Sequence, residues 1–212
     1  MRNTTGKQLR TGILLLALFI LWTVLIQHVD VKPLGQKGTD IGLATLNCWF
    51  HSVTGVNMTL YTLTDWMGLV PLLICLYFAC LGFAQLVDRR SLWKVDADIL
   101  ILGVHYAAVM FCYVLFEQVP INYRPVLIQG MLEPSYPSST TLLVLGVMPT
   151  LAEQSRRRFK NPAAWRAFAA VFSGFMVVGR ILSGVHWLTD IAGSLLLSAG
   201  LFSLYQAAVH DK

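Results

Sequence analysis

The chain has 212 residues, of which 56% are hydrophobic and only 13% are charged. This balance, with a mean hydropathy of +0.62, excludes an ordinary soluble domain and is typical of a polytopic membrane protein. The formal net charge is +5, but the basic residues cluster between apolar segments, so we expect no nucleic-acid partner. The four cysteines do not have the spacing of a disulfide framework or a zinc site.

Six segments are candidates for membrane-spanning helices, which need about 20 mostly apolar residues. In chain order they cover residues 11–27, 66–87, 98–119, 140–154, 162–178 and 187–208. The first has a basic lead-in like that of a signal peptide, but no small-residue cleavage site follows it, so we interpret it as a retained span. The fourth is short and contains Pro149. The prediction is an all-α bundle of six transmembrane helices that forms a single membrane domain over residues 1–212.

The distribution of Lys and Arg predicts the orientation, because cytoplasmic loops carry an excess of these residues. Twelve of the sixteen basic residues lie near the chain termini, between spans two and three, or from the end of span four into span five. The other four are Lys32, Lys37, Arg124 and Arg180. We therefore expect an integral protein of a bacterial plasma membrane, with both termini cytoplasmic and the segments around Arg124 and Arg180 facing outward.

The long loop between the first two spans, residues 29–64, contains apolar residues at roughly helical spacing. They are Ile41, Leu43, Ala44, Leu46, Trp49, Phe50 and Val53. This pattern predicts a short helix, which either lies in the outer headgroup layer or packs on the bundle as an ordinary amphipathic helix. The sequence supports both interpretations equally.

Residues that can carry chemistry stand where the last span begins. If the helix includes them, His186 and Asp190 share one helix face, and the carboxylate can hold the imidazole in one tautomer and stabilise its charged form. Arg180, six residues earlier, can bind an anionic group through two parallel hydrogen bonds. The pattern favours a histidine nucleophile that attacks phosphorus. The alternative is an arginine and an aspartate that only anchor helix ends at the membrane surface.

A second polar stretch lies on the same predicted side, between spans three and four. It contains Arg124 and then the residues 137–141, Pro-Ser-Ser-Thr-Thr, which are typical of the start of a helix. Hydroxyl groups, free backbone N–H groups and the positive end of a helix dipole suit a phosphate group. In isolation, simple capping of span four is the favoured explanation of residues 137–141. Together with Arg180 and His186, however, the stretch predicts one outer pocket that binds phosphate.

These residues resemble the motifs of the type 2 phosphatidic acid phosphatase (PAP2) superfamily of membrane lipid phosphatases. The motifs of that family are Lys-x6-Arg-Pro, Pro-Ser-Gly-His and Ser-Arg-x5-His-x3-Asp. The chain matches the key residues of the third motif and parts of the first two. The matching residues are Arg124-Pro125, Pro137-Ser138, Arg180, His186 and Asp190. Because the six spans also match, the resemblance covers nearly the whole chain.

The resemblance implies a membrane lipid phosphatase that acts on a lipid phosphate or lipid diphosphate and needs no metal or cofactor. His186 would attack phosphorus and form a phosphohistidine, while Asp190 would orient the ring and stabilise its charge. Other side chains, together with backbone N–H groups near Ser139, would hold the phosphoryl oxygens. The implied phosphate-binding residues are Arg124, Arg180, Ser138 and Ser139.

The chain departs from the family pattern at two positions that affect the chemistry. Glu117 replaces the lysine of the first motif, which reverses a charge near the phosphate, and Thr140 replaces the histidine of the second. That histidine is the expected general acid, and such an acid typically contributes ~10²–10⁴-fold to the rate. A lipid alkoxide needs the proton in order to leave, whereas the phosphate leaving group of a lipid diphosphate needs it much less.

The sequence leaves three functions open. A phosphatase would prefer an isoprenoid-type lipid diphosphate, such as an undecaprenyl-type carrier, or would use Glu117 as its proton donor. A phosphoalcohol transferase would use Glu117 to contact a cationic headgroup such as choline or ethanolamine. A non-catalytic relative would only bind lipid phosphates, but a binding protein has little need of a nucleophile such as His186. We therefore favour the phosphatase.

Overall fold

The computed structural model describes residues 2–210, which form eight α-helices and two short 3₁₀ turns. The helices are α1 (Arg2–His28), α2 (Ala44–Thr54), α3 (Met58–Met67), α4 (Leu69–Arg89), α5 (Ala97–Gln118), α6 (Ser139–Arg158), α7 (Pro162–Leu182) and α8 (Leu188–His210). α1 packs along α8, and α6 lies among α5, α7 and α8. The predicted all-α bundle is confirmed, and every predicted span is helical.

The exterior of the bundle is strongly apolar. Large side chains such as Ile20, Leu73, Phe83, Phe111 and Val171 each expose more than half of their surface. A membrane-embedded bundle presents such faces to lipid, while its backbone polar groups are satisfied within the helices. Of the described helices, α1, the joined α3 and α4, α5, α7 and α8 are long and apolar enough to cross a membrane.

α6 is the exception among the six predicted spans, because it is less apolar than the other five. Its 20 residues still make a helix of about 30 Å, enough to cross the hydrocarbon layer. It runs antiparallel to α5. The Tyr106 hydroxyl lies 2.9 Å from the Thr150 hydroxyl, and Arg158, later in α6, pairs with Asp98, earlier in α5, at 2.7 Å. The surrounding helices bury much of α6, including its polar residues Thr141, Thr150, Gln154 and Ser155, so these side chains face protein rather than lipid.

The second span begins earlier than predicted. α3 starts at Met58 rather than at Trp66, with Asn57 as its N-cap, so the loop before it is shorter than expected. Only Gly68 separates α3 from α4. The interruption has a local cause, because Pro71 lacks the N–H that would donate to a carbonyl in the preceding turn. The extra helical turns of α3 bring three polar side chains to the end of the bundle where the candidate site lies.

The short helix predicted in the first long loop is present as α2. Ala44 and Asn47 are buried, and the Asn47 amide donates to the hydroxyl of Thr189 at 2.9 Å. The opposite face exposes Trp49 and Val53, at 61% and 68%. α2 therefore packs on the bundle through one face and presents apolar side chains on the other. Contact of that outer face with lipid headgroups stays a prediction.

Candidate active site

The loop between α5 and α6 folds back over one end of the bundle. Its two arms pair through backbone hydrogen bonds: the Arg124 N–H donates to the Glu133 carbonyl at 3.1 Å, and the Ser135 N–H donates to the Asn122 carbonyl at 2.9 Å. Arg124 and Ser135 are buried, and both contact His186. The loop thus brings Arg124 and Ser135 to the same histidine, which lies far from both in the sequence.

His186 lies in the turn between α7 and α8, which covers residues 183–187. Because α8 begins at Leu188, the prediction that His186 and Asp190 share one helix face is wrong. The turn, rather than helical stacking, sets the position of the imidazole ring. Asp190 is in the first turn of α8, as predicted.

Glycine at position 184 allows this turn to pack tightly on the linker before α3. Gly184 has φ of +65°, and a Cβ atom there would lie 1.8 Å from the carbonyl oxygen of Gly55. The Asn57 N–H donates to the Ser183 carbonyl at 2.9 Å and ties the two segments together. Only glycine satisfies both the positive φ and the close approach, so the placement of the histidine depends on this residue.

The hydrogen bonds of His186 identify its tautomer. Its Nε2 lies 3.4 Å from Nη1 of Arg124, and because a guanidinium group only donates, Nε2 carries the lone pair. Its Nδ1 lies 3.1 Å from the carbonyl oxygen of Ser135, which accepts the Nδ1–H. The neutral ring therefore presents its nucleophilic nitrogen to the guanidinium of Arg124.

Asp190 reaches His186 through Ser135. Asp190 Oδ2 is 3.7 Å from His186 Nδ1, which is longer than a hydrogen bond. Ser135 Oγ lies 3.1 Å from the same Nδ1 and donates to Asp190 Oδ2. This carboxylate oxygen also accepts the Trp187 N–H at 2.8 Å, which caps the start of α8. Asp190 is thus linked to His186 through the Ser135 hydroxyl, and it also caps the start of α8.

The second arginine, Arg180, lies in the last turn of α7 and is only 1% exposed. Its Nη2 donates to Thr140 Oγ1 and to Asp65 Oδ1, the latter at 3.2 Å. Its Nη1 donates to Thr64 Oγ1 at 3.4 Å. Its Nε has no hydrogen-bond partner within the described residues. A buried guanidinium with an unused donor is suited to bind the oxygens of a phosphoryl group.

Each of the two arginines is paired with a carboxylate. Arg124 Nε lies 3.1 Å from Glu133 Oε2, and Arg180 Nη2 lies 3.2 Å from Asp65 Oδ1. The ring of Tyr61 lies near both guanidinium groups, at 5.8 and 5.0 Å from its centroid. A guanidinium that holds a carboxylate can also hold a phosphate. Across residues 2–210, no three His, Cys, Asp or Glu side chains are grouped so that they could hold a metal ion.

The remaining predicted positions lie where α5 ends and α6 begins. Ser138 is fully buried, and its hydroxyl donates to Thr141 Oγ1 at 3.0 Å, so this hydroxyl is part of the helix start. Glu117 is half-buried and interacts with Ser139 and with the charge of Arg124. The acidic side chain that replaces the motif lysine therefore lies near Ser139 and within the electrostatic influence of Arg124.

The sequence interpretation missed Ser135 and the polar face of α3. Asp65 is the only charged residue between Met58 and Val87, and an isolated ionisable residue in an apolar span is a signal of function. Ser135 carries no comparable signal, because a serine between a proline and the next tyrosine–proline pair is typical of any turn. Its role depends on the backbone pairing of the loop, which local sequence does not reveal.

His186 is expected to stay neutral at pH values where a free histidine is protonated. Burial disfavours the charged ring, and the guanidinium groups of Arg124 and Arg180 disfavour it further, so the pKa of His186 lies well below its ordinary value of 6.5. A lowered pKa means that protonation requires a lower pH, so the ring should remain in its Nδ1–H form at pH 6.5. Nitrogen NMR of isotope-labelled histidine measures both the protonation state and the tautomer of the ring, and the His186→Gln variant assigns the signal. A ring half-protonated near pH 6.5, or protonated on Nε2, would contradict the geometry.

The fold and the site define an integral membrane protein in which two arginines and a neutral histidine converge at one end of a helix bundle. A family model described as the PAP2 superfamily matches residues 72–212. Since this range is more than half of the chain, the chain belongs to the PAP2 superfamily. The resemblance seen in the sequence motifs is thereby confirmed.

A solved structure has a similar fold. It is the crystal structure of the first transmembrane PAP2-type phosphatidylglycerolphosphate phosphatase from Bacillus subtilis, and the TM-score is 0.64. The alignment covers 95% of this chain and 96% of that chain at 15% sequence identity. At this identity the likeness establishes the fold alone. No curated protein matches the chain.

Proposed function

We propose that this protein is a membrane phosphatase that hydrolyses a lipid phosphate, and preferentially an isoprenoid-type lipid diphosphate, through a phosphohistidine on His186. The observation that carries the proposal is the contact between His186 Nε2, which bears the lone pair, and Arg124 Nη1 at 3.4 Å. A phosphoryl group held by Arg124 would lie next to the nucleophilic nitrogen. Such positioning is a large part of catalysis in phosphoryl transfer.

The other residues of the site have distinct roles in this proposal. Arg124 and Arg180 bind the phosphoryl oxygens in place of their present carboxylate partners. Backbone N–H groups near Ser139 add donors at the start of α6, where a helix leaves its first N–H groups free, whereas the Ser138 N–H donates to the Asp190 carbonyl at 3.3 Å. Asp190 stabilises the positive charge that the imidazole gains when its Nε2 bonds to phosphorus.

We place the site on the outer face of a plasma membrane, with both termini in the cytoplasm. The excess of Lys and Arg in the segments at the opposite end supports this orientation. In this proposal the whole chain acts as one membrane domain, and the substrate enters from the bilayer. The solved structure of similar fold is that of a phosphatidylglycerolphosphate phosphatase. This likeness supports a lipid phosphate as the substrate class of the present chain.

A preference for diphosphates follows from Thr140. A threonine hydroxyl does not release a proton readily enough to replace the motif histidine as a general acid. Loss of such an acid slows departure of a lipid alkoxide much more than departure of a phosphate. We therefore expect the purified protein to release phosphate faster from a prenyl diphosphate than from the prenyl monophosphate of the same chain.

A phosphate-release assay over a lipid panel tests the proposal. The panel contains prenyl monophosphates and diphosphates, phosphatidic acid and phosphatidylglycerolphosphate, each presented in detergent micelles. Equal rates on the matched prenyl pair would contradict the diphosphate preference. Transfer of a choline or ethanolamine phosphate to an acceptor lipid would identify a transferase instead. Binding without turnover of any lipid would identify a non-catalytic relative.

A further inference from the structure

The polar face of α3 forms a wall of the site that the family motifs do not include. α3 precedes residues 72–212, the range that the family model matches. Three of its side chains, Tyr61, Thr64 and Asp65, surround the guanidinium of Arg180. Their spacing places them on one face of the helix. Asp65 is the only one of the three that carries a carboxyl group, a common general acid in enzymes.

Asp65 lies beside the position where the second-motif histidine is missing. The carboxylate of Asp65 and the hydroxyl of Thr140 both accept a hydrogen bond from the same atom, Nη2 of Arg180. Two atoms bound to one nitrogen are no more than two hydrogen-bond lengths apart. The carboxyl group therefore reaches the space beside residue 140, from which a histidine side chain there would act.

We propose that Asp65 is the proton donor of the site and substitutes only in part for the absent second-motif histidine, so that a diphosphate, whose leaving group needs little protonation, remains the preferred substrate; this inference rests on the proposed phosphatase function. The side chain of Asp65 is 56% exposed, so the protein leaves it open to a substrate that approaches Arg180. The other acidic groups are less suited. Asp190 is fully buried and bound to Ser135 and Trp187. Glu117 interacts with Ser139, whereas Asp65 shares its arginine donor with Thr140.

Substrate binding would prepare Asp65 for this role. The phosphoryl oxygens would take up the donors of Arg180 that hold the carboxylate in the resting site. The carboxyl group, no longer held by Arg180, would then be free to reach the leaving oxygen.

The reaction then proceeds in two balanced steps. In the first, the lone pair of His186 Nε2 forms a bond to phosphorus, the bond from phosphorus to the lipid oxygen breaks, and Asp65 donates its proton to that oxygen. In the second, the Asp65 carboxylate takes a proton from water, and the water oxygen bonds to phosphorus. The phosphorus–nitrogen bond breaks with its electron pair returning to Nε2, and orthophosphate leaves.

The test is the dependence of Asp65→Asn on the leaving group. With the full-length protein, we expect this variant to hydrolyse a prenyl monophosphate roughly 10²–10⁴-fold more slowly than wild type, while the diphosphate of the same chain loses less than about 10-fold, since its leaving group needs little protonation. Retained diphosphate turnover also shows that the variant is folded. Asp65→Glu, which keeps the acidic group, should recover part of the monophosphate activity.

Glu133→Gln is the matched control, because Glu133 pairs with Arg124 as Asp65 pairs with Arg180. We expect this control to change both substrates by the same factor. An equal loss on both substrates in Asp65→Asn would mean that Asp65 only holds Arg180, and no loss on either would remove it from the reaction; each result overturns the inference. If wild type itself releases phosphate from no lipid, the proposed function fails, and this inference fails with it.

Discussion

Substitution of His186 by alanine is expected to abolish phosphate release from every lipid that the wild-type protein hydrolyses. Loss of a covalent nucleophile in other enzymes lowers kcat by roughly 10⁶-fold, and neutral His186 is the only imidazole that contacts both an arginine and the Ser135–Asp190 pair among the described residues. Within residues 2–210, no other imidazole contacts Arg124, so no second histidine can replace it. The measurement is phosphate release by purified wild type and variant at equal concentration.

His28→Ala is the control for this substitution. His28 ends α1 and is exposed, so its loss should leave turnover unchanged. Equal thermal stability of the two variants would show that the effect of His186→Ala is chemical. Turnover by His186→Ala at a rate near that of wild type would exclude the proposed nucleophile.

The second large effect is expected from Asp190→Asn. In this site Asp190 Oδ2 accepts hydrogen bonds from Ser135 Oγ and from the Trp187 N–H, and its charge balances the imidazole that becomes positive in the reaction. Replacement of the aspartate of a His–Asp pair by asparagine lowers kcat by about 10⁴-fold in a serine protease, and we expect a loss of roughly 10³–10⁴-fold here. Since Asp190 does not contact the phosphoryl pocket, kcat should fall while KM changes little.

Ser135→Ala separates the charge of Asp190 from its connection to the histidine. The alanine variant keeps the backbone carbonyl that accepts the His186 Nδ1–H but loses the hydroxyl that joins the ring to Asp190. We expect a smaller loss than in Asp190→Asn. The double variant should lose little more than Asp190→Asn alone, because the two residues act as one unit. Additive losses would show that Ser135 and Asp190 act separately.

The bundle was largely predictable from hydropathy, since long apolar segments have few alternatives to a helix in a membrane. The exceptions have local causes. α6 carries polar side chains that its neighbours bury, so its composition understates its role as a span. The early start of the second span depends on Asn57 as an N-cap, a feature that a hydropathy pattern does not contain.

The site was predictable only in part. Arg124, Arg180, His186 and Asp190 stand in recognisable spacings, and the structure brings all four to the same end of the bundle. The connection through Ser135 was not predictable, because it depends on the paired arms of a loop. The same holds for the approach of Asp65 to Thr140, which requires α3 to pack beside α7. Tertiary contacts of this kind leave no pattern in the local sequence.

The covalent intermediate on His186 can be measured directly. Wild-type protein is mixed with a lipid diphosphate labelled on its terminal phosphate, quenched within the first turnover under alkaline conditions, and digested for mass spectrometry. We expect the label on His186 in wild type and no protein-bound label in His186→Ala. Rapid release of labelled phosphate with no label on His186 at any time, or label on a different residue, would contradict the mechanism.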